Sequence, residues 1–147
     1  MCRVCLSKDG PERLRYNALQ LIPSFHQGGS ERQAVQLTRL LLEAGRSNVF
    51  VATLEREGVL LEELERLGLN DIPEFRLNSF YDLNAARQLR RFAQFLKKHE
   101  IDVVHTHDFY TNIFGMAAAA LARVPVRIAS RRETVFRAAS QRIVQRC

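Results

Sequence analysis

The chain has no apolar run approaching the ~18 residues of a membrane span. Its opening, MCRVCLSKDGPERLRY, lacks the h-region of a secretory signal. A cytoplasmic protein is therefore expected. Cysteine is scarce: three in 147 residues is no disulfide framework. Cys2 and Cys5 form a C-x-x-C, but no second pair or nearby histidine completes the four ligands of a zinc site. A thioredoxin-like motif would follow a strand and open a helix, whereas this one sits in the first five residues, so free thiols on a tail are the simpler reading. The glycine signatures of nucleotide-binding loops are missing as well. There is no G-x-G-x-x-G, which argues against a dinucleotide-dependent enzyme, and no Gly-Lys-Ser/Thr, which excludes a P-loop. Internal repeats and low-complexity linkers are absent.

What is present fits one domain. Hydrophobic residues make up 46 % and charged residues 26 %, a composition that can fill a core and argues against global disorder. The net charge of +6, from 22 Lys+Arg against 16 Asp+Glu, permits attraction to phosphates, nucleic acid or anionic lipid without choosing among them. The basic residues are spread along helices rather than interleaved with aromatics, so no nucleic-acid partner is expected.

Periodicity divides the chain into alternating strands and helices. Residues 1–16 are polar and aperiodic and read as a flexible tail, leaving 17–147 as the domain. NALQLIPSF (17–25) reads as a buried strand. Residues 30–44 read as a helix with Ala34, Leu37, Leu41 and Ala44 on one face; Ser30 is the expected N-cap, Gln33 completes a capping box, and Gly45 is the stop. SNVFVATLE (47–55) is a second strand and 58–68 a short helix. IPEFRL (72–77) is a third strand, whose Pro73 suggests an edge position or a strand start. A helix follows over 83–99, turning Arg87, Arg90, Arg91, Lys97 and Lys98 mostly outward. IDVVHTH (101–107) is a fourth strand. An alanine-rich helix spans 112–123, with Thr111 or Asn112 as its cap. VPVRIAS (124–130) is a fifth strand, and a last helix runs from about Val135. This alternation predicts an α/β fold: a Rossmann-like parallel sheet with helices on both faces.

Ligands of open parallel sheets sit beyond the carboxyl ends of the strands, and three polar segments fall there. HQGGSERQA (26–34) places Gly28 and Gly29 ahead of a helix. Unpaired N–H groups at a helix start welcome an anion, and glycines let a phosphate approach the backbone; a tight turn needing positive φ explains the pair equally well. HTHD (105–108) puts His105 and His107 on one side of a strand, with Asp108 next. These three could bind a metal, or hydrogen-bond a hydroxylated substrate, or simply be satisfied within the structure. SRRE (130–133) offers Arg131 or Arg132 as a planar clamp for phosphate or carboxylate, or as a solvated loop charge.

LIPSFHQGGSERQAVQLTRLLLEAG, followed by IDVVHTHDFYTNIFGMAAAALARVPVRIASRRE, resembles the N-terminal domain of family-four glycosyltransferases of the GT-B type. Such enzymes carry a strand, a Gly-Gly-x-Glu turn and a helix, and later an Asp-Val-Val-His-x-His strand, an alanine-rich helix and a Val-Pro-x-Val strand. The resemblance covers about residues 17–133. It implies one half of a two-domain fold, with the site in the cleft between the halves. The missing C-terminal half would hold the nucleotide-sugar, using two glutamates spaced eight apart. Anomeric configuration would be retained, with no metal and no cofactor. Carried over residue by residue, Gly28 and Gly29 would approach the donor diphosphate, with Ser30 and Glu31 opening the helix beside it. His107 and Asp108 would face the cleft and contact acceptor or sugar hydroxyls, and His105 would be buried in support. Arg131 and Arg132 stand where relatives often have a histidine.

The resemblance also implies that the chain, ending at Cys147 within a predicted helix, is a fragment of a longer enzyme or a truncated reading frame. The partners expected of the complete enzyme are a nucleotide-sugar and a glycan or lipid-linked acceptor, as in envelope polysaccharide synthesis. The alternative is a non-catalytic, standalone half-domain that binds a sugar or a protein partner. Peripheral contact with anionic lipid at the inner face of the membrane, through the basic face of 83–99, is a further expectation.

Overall fold

In the computed structural model, residues 15–79 and 82–131 are described. Among these residues, four strands and four helices follow one another as β1 (Tyr16–Ile22), α1 (Gly29–Ala44), β2 (Ser47–Thr53), α2 (Leu61–Arg66), α3 (Leu83–Lys98), β3 (Val103–Thr106), α4 (Phe109–Ala122) and β4 (Val126–Ala129). The strands form one parallel sheet in the order β2-β1-β3-β4. The α/β reading from periodicity therefore holds.

β1 alternates its side chains between two cores. Leu19 and Leu21 pack with Val104 against Phe92, Ala93 and Leu96 of α3 and Phe114, Ala118 and Ala119 of α4. Ile22 faces the other way and packs with Val51 against Ala34 and Val35 of α1 and Leu64 of α2. Such a strand is apolar at nearly every position because both its faces are covered. The alanine-rich helix lies close to the sheet through a glycine. A Cβ on Gly115 would come within 2.5 Å of Thr106 Cγ2 and 2.7 Å of Leu21 Cδ2.

Several expected boundaries move. β1 begins at Tyr16, inside the stretch read as tail. The short helix over 58–68 contracts to Leu61–Arg66: Gly58, at φ +126°, and Gly68, at φ +87°, both have non-helical backbone and mark its two limits. The strand expected over 72–77 reduces to a single parallel bridge between Thr53 and Glu74. Thr53 N donates to Pro73 O at 3.1 Å and Phe75 N donates to Thr53 O at 2.8 Å. Pro73 has no N–H with which to extend the ladder. Its position outside β2 is the edge position the proline suggests. Cys2, Cys5, Arg132 and the helix expected from Val135 lie outside the described residues.

The topology fixes where a ligand would go. From β1 the chain crosses through α1 to β2 on one flank, and from β3 it crosses through α4 to β4 on the other. The adjacent strands β1 and β3 thus open onto loops that lead in opposite directions. That is the switch point at which open α/β sheets bind ligands.

Candidate functional site

Two helix starts stand at this switch point. α1 is preceded by Gly28, not Ser30, as its N-cap. Gly28 is extended, with φ −86° and ψ 161°, and no side chain caps the helix. The first helical bond runs from Arg32 N to Gly28 O at 3.0 Å. Ser30 is thus already the second helical residue, so the capping box expected with Gln33 does not form. Neither Gly28 nor Gly29 has a positive φ, so the tight-turn explanation of the pair fails. Gly28 has only a weak local reason: a Cβ there would meet the Glu31 carboxylate, the far end of a flexible side chain that can turn aside. Gly29 has none, since it is exposed and a Cβ on it would meet nothing within 4 Å.

The loop before α1 is held from below. Phe25 is fully buried; its N–H donates to Glu57 O at 2.8 Å, and its carbonyl accepts from Leu60 N at 3.0 Å. A side chain on Gly58 would collide with the Phe25 carbonyl. Backbone therefore meets backbone directly under the turn that presents Gly28 and Gly29.

The second helix start is closed. Asp108, not Thr111 or Asn112, is the N-cap of α4, and a full capping box forms. Thr111 Oγ1 accepts from Asp108 N at 2.9 Å and from His107 N at 3.2 Å, and Asp108 Oδ2 accepts from Tyr110 N at 3.4 Å. Asp108 thereby serves the helix, whatever else it contacts.

The two histidines do share a side, with ring centroids 4.1 Å apart. Their burial reverses the expectation. His107 is 3 % exposed, with Nε2 2.6 Å from Gln20 Oε1. His105 is half-buried, with Nε2 2.6 Å from Ser130 Oγ. The cause is Gln20, a polar residue on the buried strand β1 that reaches the ring beyond the end of β3. On the other face Thr106 Oγ1 donates to Asn112 Oδ1 at 2.5 Å, and Asn112 Nδ2 donates to Ser130 O at 3.1 Å, so β3, α4 and the end of β4 are tied together. Among the described residues, no three His, Cys, Asp or Glu side chains gather as metal ligands. Arg131 follows β4, one strand further out, and is exposed.

A crevice of about 530 Å³ opens at the same end of the sheet, walled by the loops after β1 and β2, the 76–79 segment and the start of α4. Its polar groups are Ser24, Glu55, Arg76, Asn78 and Ser79, and Tyr110 contributes a ring. None of these is singled out by motif. Glu55 was legible in principle, as the second residue past β2. Arg76 was hidden by reading 72–77 as a strand, and Asn78 follows that stretch with no motif to mark it.

The geometry agrees with the comparisons to known proteins. Residues 27–138 match the family model described as Glycosyltransferase Family 4. No curated protein sequence matches significantly. Among solved structures, a glycosyltransferase from Rickettsia africae ESF-5 superposes with a TM-score of 0.69 at 20 % identity, covering 89 % of this chain and 33 % of that one. MurG of Acinetobacter baumannii gives 0.60 at 15 %, covering 88 % and 39 %. The lipopolysaccharide outer core galactosyltransferase WaaB, in its apo form, gives 0.55 at 14 %, covering 76 % and 32 %. The chain spans about a third of the length of these structures, whose likeness establishes the Rossmann-like architecture of one half of a GT-B fold. With the family model matching most of its length, the chain belongs to glycosyltransferase family 4.

Proposed function

We propose that the chain is the acceptor-side half of a nucleotide-sugar-dependent glycosyltransferase that works with retention, and that the donor diphosphate lies on the start of α1. The observation that carries this reading is Gly29. It is a glycine that no backbone angle and no neighbouring atom requires, at an uncapped helix start, beside the switch point of the sheet. Oriented N–H groups there stabilise charge on a departing diphosphate without reorganising. Ser30 adds a hydroxyl on the same turn. Glu31 folds over Gly28 and would have to swing away or share the site.

The acceptor, a glycan or lipid-linked sugar, belongs to the crevice and the β3–α4 loop. His107, pinned by Gln20, supplies a fixed wall there, and Asp108 orders the loop. Arg131 and Arg132 are candidates for a charged group on either substrate. The reaction needs no metal in this reading. Turnover calls for the donor-binding half, so the chain alone binds without transferring sugar. No helix among the described residues is long and apolar enough to cross a membrane. A cytoplasmic location, with the basic face of α3 touching anionic lipid at the inner face of the membrane, completes the proposal.

The test is to join the chain to a family-four donor domain and supply UDP-, GDP- and ADP-sugars with glycan acceptors. Transfer that disappears with Gly29→Val supports the reading. Transfer indifferent to that change sinks the diphosphate placement.

A further inference from the structure

The crevice beside the switch point has a chemistry of its own. Its volume of about 530 Å³ is that of a small-molecule site. The lining divides in two. Pro23, Leu54 and Leu77 are apolar, while Ser24 and Ser79 bring hydroxyls and Glu55, Arg76 and Asn78 bring carboxylate, guanidinium and amide. Tyr110, 48 % exposed at the first turn of α4, adds an aromatic ring to the wall.

Charge selects among ligands. Among the described residues of this lining the cation is Arg76, and its Nη2 lies 3.8 Å from Glu55 Oε1, which lines the same crevice. The two formal charges cancel. A phosphate or carboxylate drawn to Arg76 would meet the Glu55 carboxylate at close range, a built-in unfavourable contact of the kind that gives specificity. An acceptor–donor pair side by side has a different natural partner. Two adjacent hydroxyls can donate to the carboxylate and accept from the guanidinium together. A sugar ring also has an apolar C–H face, which suits an aromatic ring and the Pro23, Leu54 and Leu77 surface.

We infer that this crevice holds an uncharged sugar ring of the acceptor, with adjacent hydroxyls on Glu55 and Arg76 and its C–H face on Tyr110, and that Glu55 excludes phosphorylated acceptors. The inference rests on the glycosyltransferase reading above and names the class of acceptor that reading leaves open.

The test is an amide chemical-shift titration of the 147-residue chain. The probes are the methyl glycosides of glucose, galactose, mannose and N-acetylglucosamine, with glucose 1-phosphate as the anionic counterpart and pyrophosphate as a separate probe. At least one neutral glycoside should move the amides of Ser24, Glu55, Asn78 and Tyr110 and saturate in the millimolar range, about tenfold tighter than glucose 1-phosphate. Tyr110→Ala should weaken that binding about tenfold, while Tyr110→Phe retains it. Glu55→Gln should erase the preference against the phosphate. Neutral glycosides that leave these four amides unmoved, or glucose 1-phosphate binding tighter than all of them, overturn the inference. Pyrophosphate shifts at Gly29 to Glu31 report on the donor placement independently. If they persist while the glycosides fail, only the crevice inference falls; if they are missing while the glycosides bind, the donor placement falls instead.

Discussion

α1 and α4 begin at the same edge of the sheet, after adjacent strands, and they begin differently. α4 satisfies its own first turn: Asp108 and Thr111 exchange side-chain hydrogen bonds with the backbone, and a carboxylate already sits at the positive end of the helix. α1 has Gly28 where that carboxylate would be and an exposed Gly29 behind it. Both helices face the same problem, since the first N–H groups of any helix lack intrahelical partners. One solves it within the chain. The other has no side-chain cap: Glu31, from the third helical position, folds over Gly28, and an incoming anion would have to displace it. An anion entering the switch point should therefore distinguish the two.

The largest effect should come from removing the support under the open start. Gly58→Ala places a Cβ against the Phe25 carbonyl at a φ of +126°, which should destabilise the chain by about 3 kcal/mol. Urea unfolding would measure it. A loss under 1 kcal/mol would mean that the loop before α1 is not held as described.

A sharper test gives α1 the solution of α4. Gly28→Asp should change stability by less than about 1 kcal/mol, yet lower pyrophosphate affinity by about tenfold, because a second carboxylate then occupies the helix start. Calorimetric titration beside thermal unfolding would separate the two effects. Unchanged affinity would break the comparison.

The converse change removes the cap that α4 has. Asp108→Ala should lower stability by about 1 kcal/mol, and Asp108→Asn by less, while the pyrophosphate response at Gly29 to Glu31 stays as it was. If Asp108→Ala instead abolishes that response without loss of stability, Asp108 acts in the site rather than as a cap.

The smallest effect concerns the outer face of α3, where Arg87, Arg90 and Arg91 are exposed. Replacing all three by glutamate should reduce co-sedimentation with phosphatidylserine vesicles by a few-fold, about 1 kcal/mol per charge being an upper bound at the surface. No binding by the unaltered chain would end the membrane proposal. Arg91 also lies 5.4 Å from the centroid of the Phe75 ring, so a double change at Arg87 and Arg90 guards against a packing defect.

The strands and helices were legible because their apolar spacing states which face is buried. β1 needed only its apolar residues Ala18, Leu19, Leu21 and Ile22, and α4 only its small ones. The side shared by His105 and His107 followed from the two-residue period of a strand. What the sequence concealed depends on contacts between distant segments. Gln20 lies between two buried leucines of β1, and nothing near it announces that it meets His107. Ser30 and Gln33 have the spacing of a capping box, but the chain stays extended at Gly28 and starts the helix earlier. Gly58 reads as the first residue of a short helix, whereas its use is to let two backbone segments touch. The crevice joins four segments far apart in sequence, and no local pattern could have assembled it.

The central claim is that the uncapped start of α1, and not the capped start of α4, receives the diphosphate. Its most direct test is an amide chemical-shift titration with pyrophosphate on the unaltered chain and on Gly29→Ala. A Cβ at Gly29 meets nothing, so the substitution should leave stability unchanged or raise it by about 0.5 kcal/mol. In the unaltered chain the shifts should centre on Gly29, Ser30 and Glu31 and spare Phe109 to Thr111, and in Gly29→Ala they should weaken several-fold. Shifts centred on α4, or a Gly29→Ala chain that binds pyrophosphate as well as the original, would contradict the account.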